Sequence, residues 1–190
     1  MLPAIQPEDP TMPASQPPQP SPDRLVDFHA HPIVVGVMPG QPPLVALTAL
    51  NLARAVGAPG IHFGYADQSR YVVEEFPDGS VRHAPIDPDD ADEQWRSTSE
   101  TIIAELTKAV GDSEVPWHFH YLAGRPDRAL THLARAVDAA GFVIGTRLGK
   151  HHVREFLNGS VTIRLCHHQH RPVITVPLEV VDWSAGLPWQ

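Results

Sequence analysis

Cysteine is almost missing from this chain. The one cysteine, Cys166, excludes an internal disulfide and any metal site built from cysteine alone. Long apolar runs are missing too. Nowhere does the sequence approach the roughly 20 apolar residues of a membrane-spanning helix, and its start lacks the basic-then-apolar pattern of a secretory signal. Positive charge is scarce: 14 Lys and Arg stand against 22 Asp and Glu, a formal net charge of −8. Such a balance argues against a general nucleic-acid or anionic-membrane surface. These shortages predict a soluble, cytoplasmic protein with neither nucleic acid nor membrane as a partner.

What is present fits one α/β domain with appendages. Apolar residues make up 42% of 190, enough for a sizeable core. Of the 21 prolines, 12 crowd into the first 43 residues. Residues 1–24 are rich in Pro, Gln and Ser and poor in large apolar side chains, so burial cannot offset their ordering entropy. They are expected to form a disordered arm. A domain over residues 25–178 follows, with an inserted hairpin at 68–90 and a tail at 179–190.

Within that domain strands and helices alternate. An apolar run at 33–37 suits a central strand buried on both faces. A helix follows at 44–56, with Val45, Ala49, Leu52 and Val56 on one face and Gly57 as its stop. A second strand is expected at 60–66. Residues 71–76 and 81–86 flank Pro77-Asp78-Gly79-Ser80, the pattern of a β-hairpin. It reads first as a surface element, and otherwise as a lid or a dimer arm. The acidic stretch 87–92 leads into a helix ending near Val110, with Trp95, Ile102, Leu106 and Val110 at helical spacing. Strand 115–123 alternates apolar and polar residues, as an edge strand with one less covered face does. Helix 126–140 opens on Pro126. A short strand at 142–144, a glycine-punctuated loop, a helix opened by Gly159-Ser160 and a strand at 172–176 complete the domain.

A strand feeding a flexible loop that ends at a helix N-terminus is a ready anion site, because free N–H groups and the positive end of the helix dipole converge there. Gly145, Gly149 and Gly159 let backbone approach a ligand, and Ser160 offers a cap and a hydroxyl. The plainer reading is a crossover whose glycines only make turns. Ligands of such sheets bind beyond the strands' carboxyl ends where neighbouring connections diverge, which brings the loop after residue 37 and the loop after Ile144 to one crevice.

The stretch GFVIGTRLGKHHVREFLNGSVTIRLCHHQHRPVITVP, residues 141–177, resembles the universal stress protein family. That family ends in a strand, a loop of pattern G-x2-G-x9-G-[ST], a helix and a strand of type P-V-x-V-V-P. Gly149 and Gly159 enclose nine residues, with Ser160 and Val161 following, and Arg171-Pro172-Val173-Ile174-Thr175-Val176-Pro177 supplies the last strand. The opening strand and helix resemble the family's I-L-V-G-V-D-G-S start, and the likeness spans residues 31–177. The resemblance implies an open parallel five-stranded sheet of order 3-2-1-4-5 with helices on both faces. It implies ATP, with Mg, held by Val37, Met38, Tyr65, Gly145, Gly149, Gly159, Ser160 and Val161, in a stress-response regulator that is not an enzyme, weak ATPase activity aside. It also implies a homodimer through the last strand, from Arg171 to Val176. Two positions depart from the pattern. Gly145 and Gly149 enclose three residues where the family has two, and Met38, followed by Pro39, replaces the acidic residue that faces the nucleotide. A methionine is no useful hydrogen-bond acceptor.

Two alternatives stand beside this reading. The first keeps the fold but leaves the site empty of ATP, a dimeric interaction module. The second is a metal-dependent hydrolase, because Asp27-x-His29-x-His31 resembles the opening of metal-dependent amidohydrolases. That pair precedes the first strand instead of following it, and the chain is short for a barrel of about 250 residues. Of the 12 histidines, His118 and His120 share a strand face and could chelate a metal adventitiously. His151, His152, His167, His168 and His170 read as exposed loop and helix residues.

Overall fold

The structure, a computed structural model, describes residues 21–87, 93–146 and 161–179. The expected disordered arm lies outside them except for its end, where Pro22–Arg24 form a single 3-10 turn capped by the Ser21 hydroxyl. The 179–190 tail lies outside them beyond Glu179.

The centre of the sheet is β1 (Ile33–Gly36), whose Ile33, Val34 and Val35 are fully buried. It pairs in parallel with β2 (Ile61–Asp67) on one side and β6 (Gly141–Thr146) on the other. Beyond β2 lies β5 (Trp117–Ala123), and beyond β6 lies β7 (Val173–Pro177), both parallel. The sheet order is therefore β5-β2-β1-β6-β7. A separate antiparallel pair, β3 (Arg70–Glu75) and β4 (Val81–Pro85), is the hairpin. Leaving its two strands out of the count gives the order 3-2-1-4-5 expected from the resemblance.

Period-two alternation divides the strand side chains between two cores. Ile33, Val35, Ile61, Phe63 and Val143 pack under α1 (Leu44–Val56) and α2 (Glu93–Val110). Val34, Phe142, Ile144 and Leu122 pack under α3 (Pro126–Ala136) and α4 (Val161–His168). Each helix turns its apolar stripe inward: Val45, Ala46, Ala49, Leu50 and Ala53 on α1, Leu130, Leu133 and Ala134 on α3. Gly57 ends α1 at φ 65°, and its N–H reaches back to Ala53. A Cβ there would stand 2.6 Å from the His29 ring, so the position excludes other residues twice over.

Several expected boundaries move. β1 stops at Gly36, although the Val37 N–H still donates to the Gly64 carbonyl at 3.0 Å. Strand 115–123 begins only at Trp117, since Pro116 has no N–H to give a ladder. Helix 126–140 ends at Ala136 because Asp138 takes φ 50°, and Gly141 opens β6 instead of stopping the helix. Trp95, expected on the inner stripe of α2, packs instead against His83 and Tyr121, with Arg70 over its ring. The polar face of β5, expected to be the less covered one, buries both His120 and Leu122. The hairpin explains this. Its turn folds back on α3, where a Cβ at Gly79 would meet Leu133 at 2.6 Å, and Asp78 comes near enough to His120 for its charge to act there.

Candidate functional site

At the carboxyl end of the sheet the chain leaves β1 toward α1 on one face and leaves β6 toward α4 on the other. The crevice between these diverging connections is the site the topology makes. On its β1 wall, Val37 is buried and Met38 is exposed. The loop that follows is tightly tied. The Met38 N–H donates to Gln41 Oε1 at 2.9 Å, and the Gln41 N–H returns to the Met38 carbonyl at 3.3 Å. Gly40, at φ 67°, donates its N–H to both carboxylate oxygens of Glu105 on α2 at 3.2 Å. A cavity of about 510 Å³ lies between this loop and α2, lined by Met38, Gly40, Gln41, Glu105 and Lys108 among others but not by Tyr65 or Gly145.

On the β6 wall stands Gly145. A Cβ there would be 2.5 Å from Gln41 Nε2 and 2.9 Å from both Val45 and Leu178. The absent side chain thus makes room for the Gln41 amide. Leu178 is held in place by its N–H on the Thr146 carbonyl, 2.8 Å.

The β2 wall carries Tyr65, half-buried and edge-on to Tyr121, with 5.2 Å between ring centres. Burial and the nearby Asp67 charge push its hydroxyl above the ordinary tyrosine range. Tyr121 donates to Asp67 Oδ2 at 2.6 Å, and burial and this bond push its own proton loss to still higher pH. Burial acts to raise the Asp67 carboxyl, but the hydrogen bonds from Tyr121 and Ser69 and the charge of Arg70 hold it below the usual carboxylate value.

The structure therefore brings Val37, Met38, Tyr65 and Gly145 to one end of the sheet, as the sequence reading requires. Val161 opens α4, partly buried against the core under α3. Gly149, Gly159 and Ser160 lie outside the described residues, as do His151 and His152.

The histidine pair expected of a hydrolase is divided at the opposite end. His29 Nδ1 meets the Val56 carbonyl at the end of α1, and His31 Nδ1 meets the Asp138 carbonyl after α3. Among the described residues no group of three or more His, Cys, Asp or Glu side chains is arranged to hold a metal ion, and no helix is long and apolar enough to cross a membrane. Sequence reasoning passed over Gln41 and Glu105, which carry no motif. It also passed over His62, whose Nδ1 lies 2.9 Å from His120 Nε2 and whose ring stacks on both His118 and His120. The alternation of His62, Gly64 and Ala66 with Phe63 and Tyr65 was the signal available for that one.

The profile of the universal stress protein family matches residues 30–177, most of the chain. Solved structures agree in fold. A universal stress protein from Archaeoglobus fulgidus in complex with dAMP is 23% identical, with 76% of this chain and 96% of that chain covered and a TM-score of 0.51. A universal stress protein in complex with cAMP is 20% identical over 78% of this chain and 98% of the other, TM-score 0.52. A protein of the same family from Burkholderia pseudomallei is 18% identical over 79% and 96%, TM-score 0.53. Comparison with curated proteins gives no match.

Proposed function

Because the chain belongs to the universal stress protein family, we propose that it binds an adenine nucleotide in the crevice beyond β1 and β6, as a regulator that is not an enzyme. The observation that carries this reading is that β1 and β6 are parallel neighbours, which sets the β1–α1 loop beside Gly145 beyond their carboxyl ends. Two of the similar proteins were solved in complex with dAMP and with cAMP, which supports an adenylate here. In this proposal base and ribose lie over Val37, Met38 and Tyr65. The phosphates of ATP, bringing their Mg, meet Gly145, Gly149, Gly159, Ser160 and the N–H of Val161, where helix-terminal donors favour anions.

The same proposal places the protein in the cytoplasm as a homodimer joined through the strand that runs from Arg171 to Val176. β7 is a margin of the sheet, which supports that edge. Arg171 itself is committed inward, with Nε donating to the Ala139 carbonyl at 2.5 Å.

A second reading, an interaction module without nucleotide, is favoured by one feature: Met38 puts an exposed thioether where an acceptor is expected. Denaturing the purified protein and assaying the supernatant for adenine nucleotide, then titrating with ATP and Mg by calorimetry, separates the two. Released ATP, or micromolar binding lost in Gly159→Val, is expected. Empty protein with no heat at millimolar ATP refutes the nucleotide reading.

A further inference from the structure

Away from the crevice at β1 and β6, the hairpin bridges a second hollow. Its base follows directly from the end of β2 and is closed by the Ile86 N–H on the Ser69 carbonyl, 2.8 Å. Its turn rests on α3, where Gly79 fits only because it lacks a Cβ. Between these two supports a cavity of about 480 Å³ separates the hairpin from α3 and the end of β5. That is the size of a small-molecule site, and such sites are mostly apolar with a few placed polar groups. The walls follow this pattern. Leu122, Ala129 and Leu133 line the cavity from the domain, and Val72, Phe76 and Ile86, all three exposed, line it from the hairpin side. The charged groups around it are unevenly divided. Arg70, Arg125, Arg128 and His132 stand against Glu75, the one carboxylate of the lining, in a chain of formal net charge −8. Most of these groups are engaged. Glu75 lies 3.3 Å from His132 Nδ1, Arg125 forks onto Asp127, and Arg70 Nε donates to His83. Arg128, exposed on the first turn of α3, has no hydrogen bond or ion pair among the described residues.

We propose that this cavity binds a small amphiphile, an unbranched carboxylate of medium chain length, with its tail along Val72, Leu122 and Leu133 and its carboxylate on Arg128. The site shares no residue with the adenylate site and does not depend on that reading. Three features select this ligand class. The apolar walls gain from every methylene they cover, about fourfold in affinity for each one fully buried. One unpartnered guanidinium balances one negative charge, and its planar fork matches the two oxygens of a carboxylate. A phosphate monoester brings about two negative charges, of which Arg128 answers only one, and a cationic amphiphile is repelled by the same guanidinium.

The test is calorimetric titration of the full chain with decanoate, octanoate and decyltrimethylammonium, each kept below micelle formation, in the parent, Arg128→Gln and Ala129→Phe. The parent is expected to bind decanoate, to bind octanoate about tenfold more weakly, and to bind the cation more weakly than either. Arg128→Gln removes an exposed charge and is expected to weaken decanoate about three- to tenfold without moving the melting temperature. Ala129→Phe fills the cavity and is expected to abolish binding. Should that variant fail to fold, Val72→Glu brings a negative charge to the same space from the exposed hairpin surface and is expected to abolish binding too. No heat with millimolar decanoate, equal affinity for decanoate and the cation, or a folded variant that binds decanoate like the parent overturns the inference. A parallel titration with ATP keeps the two readings apart, because a parent that takes decanoate and no ATP refutes the adenylate reading alone.

Discussion

Lowering the pH from 7 to 5 probes the histidines held between β2 and β5. His62 lies opposite His118 in the strand register, its Nδ1 is 2.9 Å from His120 Nε2, and its ring stacks on both neighbours. Burial, then the charges that His120 and His118 acquire, push the His62 pKa from 6.5 down to about 4. His120 is lowered as well, by burial and His118, with Asp78 at the hairpin turn opposing. Both folded values lie below the unfolded one, so the unfolded chain takes up protons first. Stability is therefore complete above about pH 6.5 and is lost as pH falls toward about 4, after which His62 contributes no further loss. At full burial the His62 shift corresponds to about 3.4 kcal/mol. The ring is partly exposed, so solvent screening reduces this to roughly 1–2 kcal/mol, most of it lost by pH 5. The assay is urea unfolding followed by tryptophan fluorescence at pH 7, 6 and 5, in the parent and in His62→Gln. The parent is expected to lose this amount and the variant to lose distinctly less. Equal losses in the two proteins refute the reasoning.

Two further outcomes follow from the packing. Gly145→Ala drives a methyl into Gln41 Nε2, Leu178 and Val45. Because the first two are flexible side-chain ends, the fold is expected to lose only about 1–2 kcal/mol, while the displaced side chains narrow the proposed site and weaken nucleotide binding; thermal melting and calorimetry read the two effects separately. Phe63→Ala empties a fully buried site under α1 and α2 and is expected to cost about 3–5 kcal/mol, read as a lower urea midpoint; a loss under about 1 kcal/mol contradicts the packing described.

The sheet was largely legible because its signals are local. The apolar run at β1, the inward stripe of α1 with Gly57 after it, and the Pro-Asp-Gly-Ser turn each declare their structure within a dozen residues. The strand order came from the family resemblance and holds. What stayed hidden depends on contacts across the chain. The Glu105 carboxylate reaches Gly40 from 65 residues away, and His62 meets His120 from 58. Neither separation leaves a periodicity to detect. Trp95 shows the same limit: its spacing fits the inner stripe of α2, but the hairpin offers Arg70 and His83, and β5 offers Tyr121, to its ring. Met38 was readable as a missing acceptor, yet the packing of Gln41, three residues on, against Gly145 of β6 was not.

The hairpin's position has a consequence for stoichiometry. Strand-to-strand growth of a polymer needs two open margins on every sheet, one to receive a neighbour and one to offer. β5 is one margin, and β3 and β4 pack against it, with His83 tilted onto Tyr121. The hairpin crowds that margin, the kind of cover that guards a sheet edge against an incoming strand. The β7 side has no such neighbour among the described elements, and a contact that consumes the same edge on both copies closes on itself. On the proposed pairing through β7, growth would end at two copies.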